Sequence, residues 1–226
     1  MTRLAKGVKL DMDKGIATMD FTFDPKTHTY KNKGMRIPSV TQILNEWILI
    51  KLKPGFFYVH TQTGVAISAE TFRYAGERGT AVHSGAKLVL EGNLEWDVLD
   101  SILVDPLRQF EAWKKKHNVH IGVDTICEVA MLSQRYQYAG MPDIITPIKG
   151  VMSVIDIKTG TWGLFAAQLS AYERLFREIT GYKKAINLFI LDLSGKKYDF
   201  RQVKDVGAWG FFLNSLGCYK YKIAQK

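Results

Sequence analysis

The chain has 226 residues, 46% of them hydrophobic and 12% aromatic, enough apolar material for one well-buried domain and too much for a disordered chain. Lysine and arginine number 31 against 22 acids, a formal charge of +9 that favours a polyanionic partner. No apolar run approaches the roughly 18 residues of a membrane span, and neither a basic amphipathic helix nor a lipidation signal points to a membrane surface.

The opening Met1 to Lys6 lacks the apolar stretch of a secretory signal, so a cytoplasmic location is expected. Residues 15–33 alternate loosely around the turn-prone Asp24-Pro25 and Asn32-Lys33-Gly34, which predicts a β-hairpin. Ser39-Val40-Thr41-Gln42 has the form of a capping box opening a helix through Leu44 and Trp47 to about Ile50. Residues 51–70 fit neither period. A second helix is expected from about Glu77 to Glu91, with Val82, Ala86 and Val89 on one stripe and Gly92-Asn93 as its stop. Asp105-Pro106 then opens a third, carrying Leu107, Phe110 and Trp113 and ending in Lys114-Lys115-Lys116, either a solvated helix end or a phosphate contact.

Beyond it the texture changes. Residues 124–132, 136–146 and 151–158 read as three consecutive strands, with turns at Gln134 to Gln137 and Lys149-Gly150. Helical spacing returns from Leu164 to Ile179. Strands Ala185 to Leu193 and Lys197 to Val203 follow, joined by Ser194-Gly195, before a last helix from about Val206 with Trp209, Phe212, Leu213 and Leu216. This order implies an α/β fold, a central mixed β-sheet flanked by helices, with an N-terminal β-hairpin and helical extension. Residues 1–75 are read as that extension and 76–226 as the core.

Two cysteines, Cys127 and Cys218, are too few for an iron–sulfur cluster or a zinc site and give no disulfide framework; their apolar neighbours suggest buried structural thiols. The absence of a Gly-x-x-x-x-Gly-Lys-Ser/Thr run argues against a nucleotide-driven motor.

Glu128, Asp143, Asp156 and Lys158 fall on the three consecutive strands. Residues two apart in a strand share a face, so Asp156 and Lys158 lie side by side while Ile155 and Ile157 turn away. If 151–158 folds back on 136–146, Asp143 and Asp156 meet at one end. Paired carboxylates invite a hard cation such as Mg²⁺ or Mn²⁺, which polarises a phosphodiester and activates water, and a neighbouring lysine can orient that water. The same placement also permits a plain Asp156–Lys158 salt bridge.

Pro142-Asp143 and Asp156-Ile157-Lys158 resemble the paired signatures of the PD-(D/E)XK nuclease superfamily. The surrounding residues resemble its RecB-type and phage-exonuclease branch: Gly79-Thr80-Ala81-Val82-His83 before the sheet, Glu128 on the preceding strand, and Gln168-Leu169-Ser170-Ala171-Tyr172 on the helix after it. The stretch from Thr27-His28-Thr29-Tyr30 to Pro38-Ser39-Val40-Thr41 resembles openings of phage-encoded members. This resemblance implies a restriction-endonuclease-like core and a Mg²⁺- or Mn²⁺-dependent deoxyribonuclease. Its expected work is exonucleolytic, in phage-type recombination or DNA processing inside a bacterial host cell. It implies that Asp143, Asp156 and the Ile157 carbonyl hold the metal, with His83 as a ligand or neighbour. Lys158 would activate water, and Glu128 would hold a second metal or a water on it. Gln168 and Tyr172, four apart on one helix face, would touch the DNA backbone, packing being their plainer alternative. DNA ends, single- or double-stranded, are the implied partner, alongside a recombination or single-strand-binding protein. A structure-specific endonuclease, a non-catalytic DNA-binding protein of the same fold and an RNA-directed enzyme are the competing readings.

Overall fold

The computed structural model describes residues 20–52, 57–60, 64, 66–122, 124–160, 163–204 and 206–225. Strands β1 (Phe21–Asp24), β2 (Thr29–Asn32) and β3 (Met35–Ile37) form an antiparallel sheet. The expected hairpin therefore carries a third short strand, and its first residues, 15–19, lie outside the described part. The capping box forms as expected: Ser39 Oγ accepts from Gln42 N (3.1 Å), and Gln42 Oε1 accepts from Ser39 N (3.1 Å). It opens α1 (Val40–Ile48). Strand β4 (Leu49–Leu52) takes over before the expected helix end at about Ile50. With β5 (Phe57–His60) and β6 (Ala66–Ser68), from the stretch that fitted neither period, it forms a small antiparallel sheet.

Helix α2 (Ala69–Glu91) starts eight residues before the expected Glu77, because Ser68 Oγ accepts from Thr71 N and caps it there. The 75/76 boundary between extension and core thus falls inside one continuous helix. Helix α3 (Ser101–His117) also begins early. Asp100 caps it by accepting from Ile102 N (3.0 Å), so Pro106 sits inside the helix instead of opening it. Lys114 of the basic run is neither free in solvent nor open to phosphate. Its Nζ donates to the carbonyls of Val89 (2.6 Å) and Leu90 (3.2 Å), closing the C-terminal end of α2.

The central sheet has the strand order β13-β12-β11-β10-β7. It is built from β7 (Ile126–Cys127), β10 (Ile144–Ile148), β11 (Val151–Lys158), β12 (Asn187–Asp192) and β13 (Asp199–Val203). Only β11 and β12 run parallel, joined by the crossover helix α4 (Phe165–Thr180); the other neighbours are antiparallel. Strands β8 (Met131–Ser133) and β9 (Tyr138–Gly140) form a separate ribbon, and α5 (Ala208–Ala224) closes the chain. The expectation of a central mixed sheet flanked by helices is met.

Period-two alternation divides the core into two layers. Val154, Leu188 and Ile190 face α1, α4 and α5, while Ile155, Ile157 and Leu191 face α2 and α3. Buried Phe21, Tyr30 and Ile37 of the N-terminal sheet pack on Leu132 and Ala139 of the ribbon and on Ala130 just before it. Of the two thiols, Cys127 is half-buried and Cys218 is exposed on α5, which corrects the reading of both as buried. Among the described residues, no helix is long and apolar enough to cross a membrane.

Gly85 allows α2 to lie against α3: a β-carbon there would stand 2.6 Å from Leu107 Cδ1. Gly85→Ala should therefore cost about 1–3 kcal/mol through overpacking, and Leu107→Ala about 2–5 kcal/mol through the cavity it leaves. Urea unfolding of the double variant should show less than the summed loss, since the new methyl enters the vacated space. Strict additivity would contradict this contact.

Candidate active site

Two of the expected strands are each broken once. The chain leaves β7 at Glu128, which holds a left-handed backbone (φ 49°), and rejoins the ribbon at Met131. On the partner strand the break is Met141-Pro142-Asp143, where Pro142 has no N–H to give a ladder. Glu128 and Asp143 therefore lie in a paired bend, not within strands, and Glu128 N donates to the Asp143 carbonyl (3.1 Å) across it. A non-glycine residue at positive φ is strain that neighbouring structure must hold in place.

This bend aligns the acids. Ile144 pairs with Cys127 on one side and with Ile155 on the other. Continued one step, that register sets Glu128 and Asp156 on either side of Asp143, and the Asp143 charge acts on both. The sequence brought the two aspartates together only if 151–158 folded back on the preceding strand, and β10 and β11 do pair in that way.

Each acid is held by different groups. Asp143 Oδ1 lies 2.9 Å from His83 Nδ1 on α2, and its Oδ2 accepts from Ile157 N (2.6 Å). Since N–H and C=O of one strand residue point to the same edge, the Ile157 carbonyl emerges on the Asp143 side. Asp156 is only 2% exposed; Lys158 Nζ lies 2.6 Å from its Oδ2, and Gln168 Nε2 donates to its Oδ1 (3.0 Å). Gln168 Oε1 in turn accepts from Lys158 Nζ (3.0 Å), and Gln168 Nε2 also donates to the Tyr172 hydroxyl (3.2 Å). One amide thus bridges acid, lysine and tyrosine from the crossover helix. Gly140 permits this, because a β-carbon there would stand 2.7 Å from Tyr172 Cε1.

Lys87, one helical turn past His83, was missed by the sequence reading. Its Nζ lies 4.0 Å from Glu128 Oε2, and its four-residue spacing from His83 was the available signal. All eight residues singled out from the sequence are brought to this end of the sheet. His83, Glu128, Asp143, Asp156, Lys158, Gln168 and Tyr172 line a groove of about 650 Å³, and Ile157 lies beneath it, bound to Asp143.

The charges report their crowding. Burial, and after it the Asp143 charge, lifts the Asp156 carboxyl to about 6 against the pull of Lys158. Burial and Asp143 also raise Glu128. For Asp143, burial raises the pKa, but His83, Lys158 and the Ile157 N–H outweigh it and hold the acid low. Burial disfavours a charged His83, yet the Asp143 carboxylate prevails and brings the ring to about 8.

Among the described residues, no three His, Cys, Asp or Glu groups stand ready as a metal cage. Asp143 is engaged by His83, and Asp156 by Lys158. The donor chemistry nevertheless fits a hard divalent cation: carboxylate oxygens from three acids in a row, one of which, Asp156 Oδ2, has an ion pair but no well-formed hydrogen bond.

No family model matches the chain, and no curated protein matches it. Solved structures do match. They include a candidate exonuclease from Eubacterium rectale, 14% identical over 66% of this chain and 66% of that one, with a TM-score of 0.43. They also include the protein SSO0001, 17% identical over 63% of this chain and 69% of that one, with a TM-score of 0.29. Likenesses this distant carry no argument about activity.

The metal-free protein should show the charge balance directly. Asp156 has a folded pKa above its ordinary 3.8, so its favourable neutral form is lost as pH rises through about 6. His83, raised above 6.5, contributes stability that is complete below that value and lost as pH rises through about 8. In EDTA, Asp156→Asn should gain melting temperature on the wild type as pH climbs from 4 past 6. The wild type's lead over His83→Gln should vanish between pH 6.5 and 8. Differences that stay flat with pH would contradict the assignment.

Proposed function

We propose that this protein is a divalent-metal-dependent deoxyribonuclease that hydrolyses phosphodiester bonds, acting at strand ends in phage-type recombination or DNA processing. The observation that carries this reading is the row Glu128–Asp143–Asp156 with Lys158 beside it, at the base of an open groove. The basic net charge suits a polyanionic substrate. The order of the motifs from His83 to Tyr172, which resembles the RecB-type and phage-exonuclease branch, supports both the restriction-endonuclease-like assignment and the preference for ends.

Asp143 and Asp156 would hold Mg²⁺ or Mn²⁺, with the Ile157 carbonyl as a further oxygen donor, and Glu128 would hold a second ion or a water on it. When bound, such an ion supplies Lewis acidity toward the phosphate and makes water a better nucleophile at neutral pH. The side chains do the rest. Lys158, its Nζ already fixed between Asp156 and Gln168, orients the attacking water and offsets charge that builds on the phosphate oxygens. Gln168 positions rather than reacts, holding the lysine and the acid at a set separation. His83 fixes which way Asp143 faces, as outer partners of metal ligands commonly do. Neither an iron–sulfur cluster nor a nucleotide enters this scheme.

End-labelled linear duplex and single-stranded DNA, with Mg²⁺, Mn²⁺ or EDTA, form the test. Cleavage should require metal and fall about a hundredfold or more in Asp156→Asn and Lys158→Ala, with closed circular DNA left intact. Cutting of circles would replace the exonuclease with an endonuclease, and preferred cutting of RNA would change the substrate. Binding without cleavage under any metal would leave a non-catalytic DNA-binding protein.

A further inference from the structure

The groove has a wall that the chemistry above does not use. Phe23, His28 and Tyr30 of the β1–β2 hairpin share its lining with Asp143 and Asp156. The rings form a connected series: Phe21 stacks on Tyr30 at 6.2 Å, Tyr30 on Phe23 at 4.7 Å, and Phe23 meets His28 edge-on at 5.2 Å. The series runs from the core to the surface. Phe21 and Tyr30 are buried, Phe23 is half-buried, and His28 is exposed at the tip.

The tip is built, not loose. Asp24 accepts from Lys26 N (2.9 Å) and from the Thr27 hydroxyl (2.7 Å), and His28 follows in a left-handed conformation (φ 50°). At its other end the hairpin is anchored in the core through Phe21, Tyr30 and Ile37. A ring pair fixed in this way loses little freedom when a flat ligand arrives. Hydrolysis itself gains nothing from aromatic rings at a groove rim, whereas unpaired bases stack on such rings irrespective of sequence.

Resting on the nuclease reading, we infer that Phe23 and His28 form a base-stacking subsite, and that the groove takes an unpaired strand with one base against this pair while its phosphate lies over the acids. The hairpin then selects single-stranded ends, or frayed ends of a duplex, over closed base pairs. Lys26 and Lys31, both exposed on the same hairpin, supply charge near the bound backbone.

Phe23→Leu combined with His28→Asn tests this. Leucine keeps apolar packing against Tyr30, and asparagine tolerates positive φ, so melting should be unchanged. Fluorescence anisotropy, in EDTA and again in Ca²⁺, would compare oligothymidylate, an abasic strand of equal length and a blunt duplex. The wild type should prefer oligothymidylate. The double variant should bind it about 5- to 150-fold more weakly, with affinity for the abasic strand unaltered. Equal losses on both strands, or none, would overturn the stacking subsite alone. Failure of the wild type to bind any of the three would overturn the nuclease reading and the subsite together.

Discussion

Glu128 and Asp143, in their paired bend, lie near Asp156 at the end of β11, where three carboxylates repel one another unless positive charge stands among them. Much of the local structure answers that repulsion. His83 reaches Asp143 from one helical layer, and Lys158 lies against Asp156 from the same strand. Lys87 approaches Glu128 at the end of the row. The compensation is incomplete, since Asp156 still titrates near 6 and Glu128 is still raised. Of the three acids only Asp143 is held below its ordinary range, so the fold favours its charge while the other two bear the cost of crowding and burial.

The two layers of helices meet at this point for geometric reasons. Asp156 and Val154 share a face of β11, so the acid looks toward α4, where Gln168 and Tyr172 are one turn apart. Asp143 stands in the bend, out of the regular pleat, and can be met from α2 on the opposite layer. Without the break at Pro142 and the left-handed Glu128, the third acid would follow strand alternation, and no single site would gather residues from both helical layers.

Much of this was legible in the sequence. The spacing of Asp156 and Lys158 on an apolar strand fixed their shared face, and the turn at Lys149-Gly150 implied the pairing that brings Asp143 opposite. Other features were hidden because a later contact outweighs a local rule. Pro142 breaks a stretch that reads as one strand, while Pro106 sits inside a helix because Asp100 caps it earlier. Cys218 has apolar neighbours in sequence yet lies on the outer side of α5. Lys114 seemed a surface charge until α2 was placed beneath it. The hairpin wall of the groove depends on how Phe21 and Tyr30 dock on the β8–β9 ribbon, a contact between segments about a hundred residues apart that no local pattern encodes.

The acid row must hold a cation if the protein is a metal-dependent nuclease. Calorimetric titration of Mg²⁺ or Mn²⁺ into the metal-free protein addresses this without DNA. Binding should be saturable in the wild type and weaker by at least about 10- to 100-fold in Asp143→Asn and Asp156→Asn, while Glu111→Gln on the surface of α3 should bind as the wild type does. Failure of the wild type to bind either ion, or equal affinity in all four proteins, would contradict a metal site at these acids.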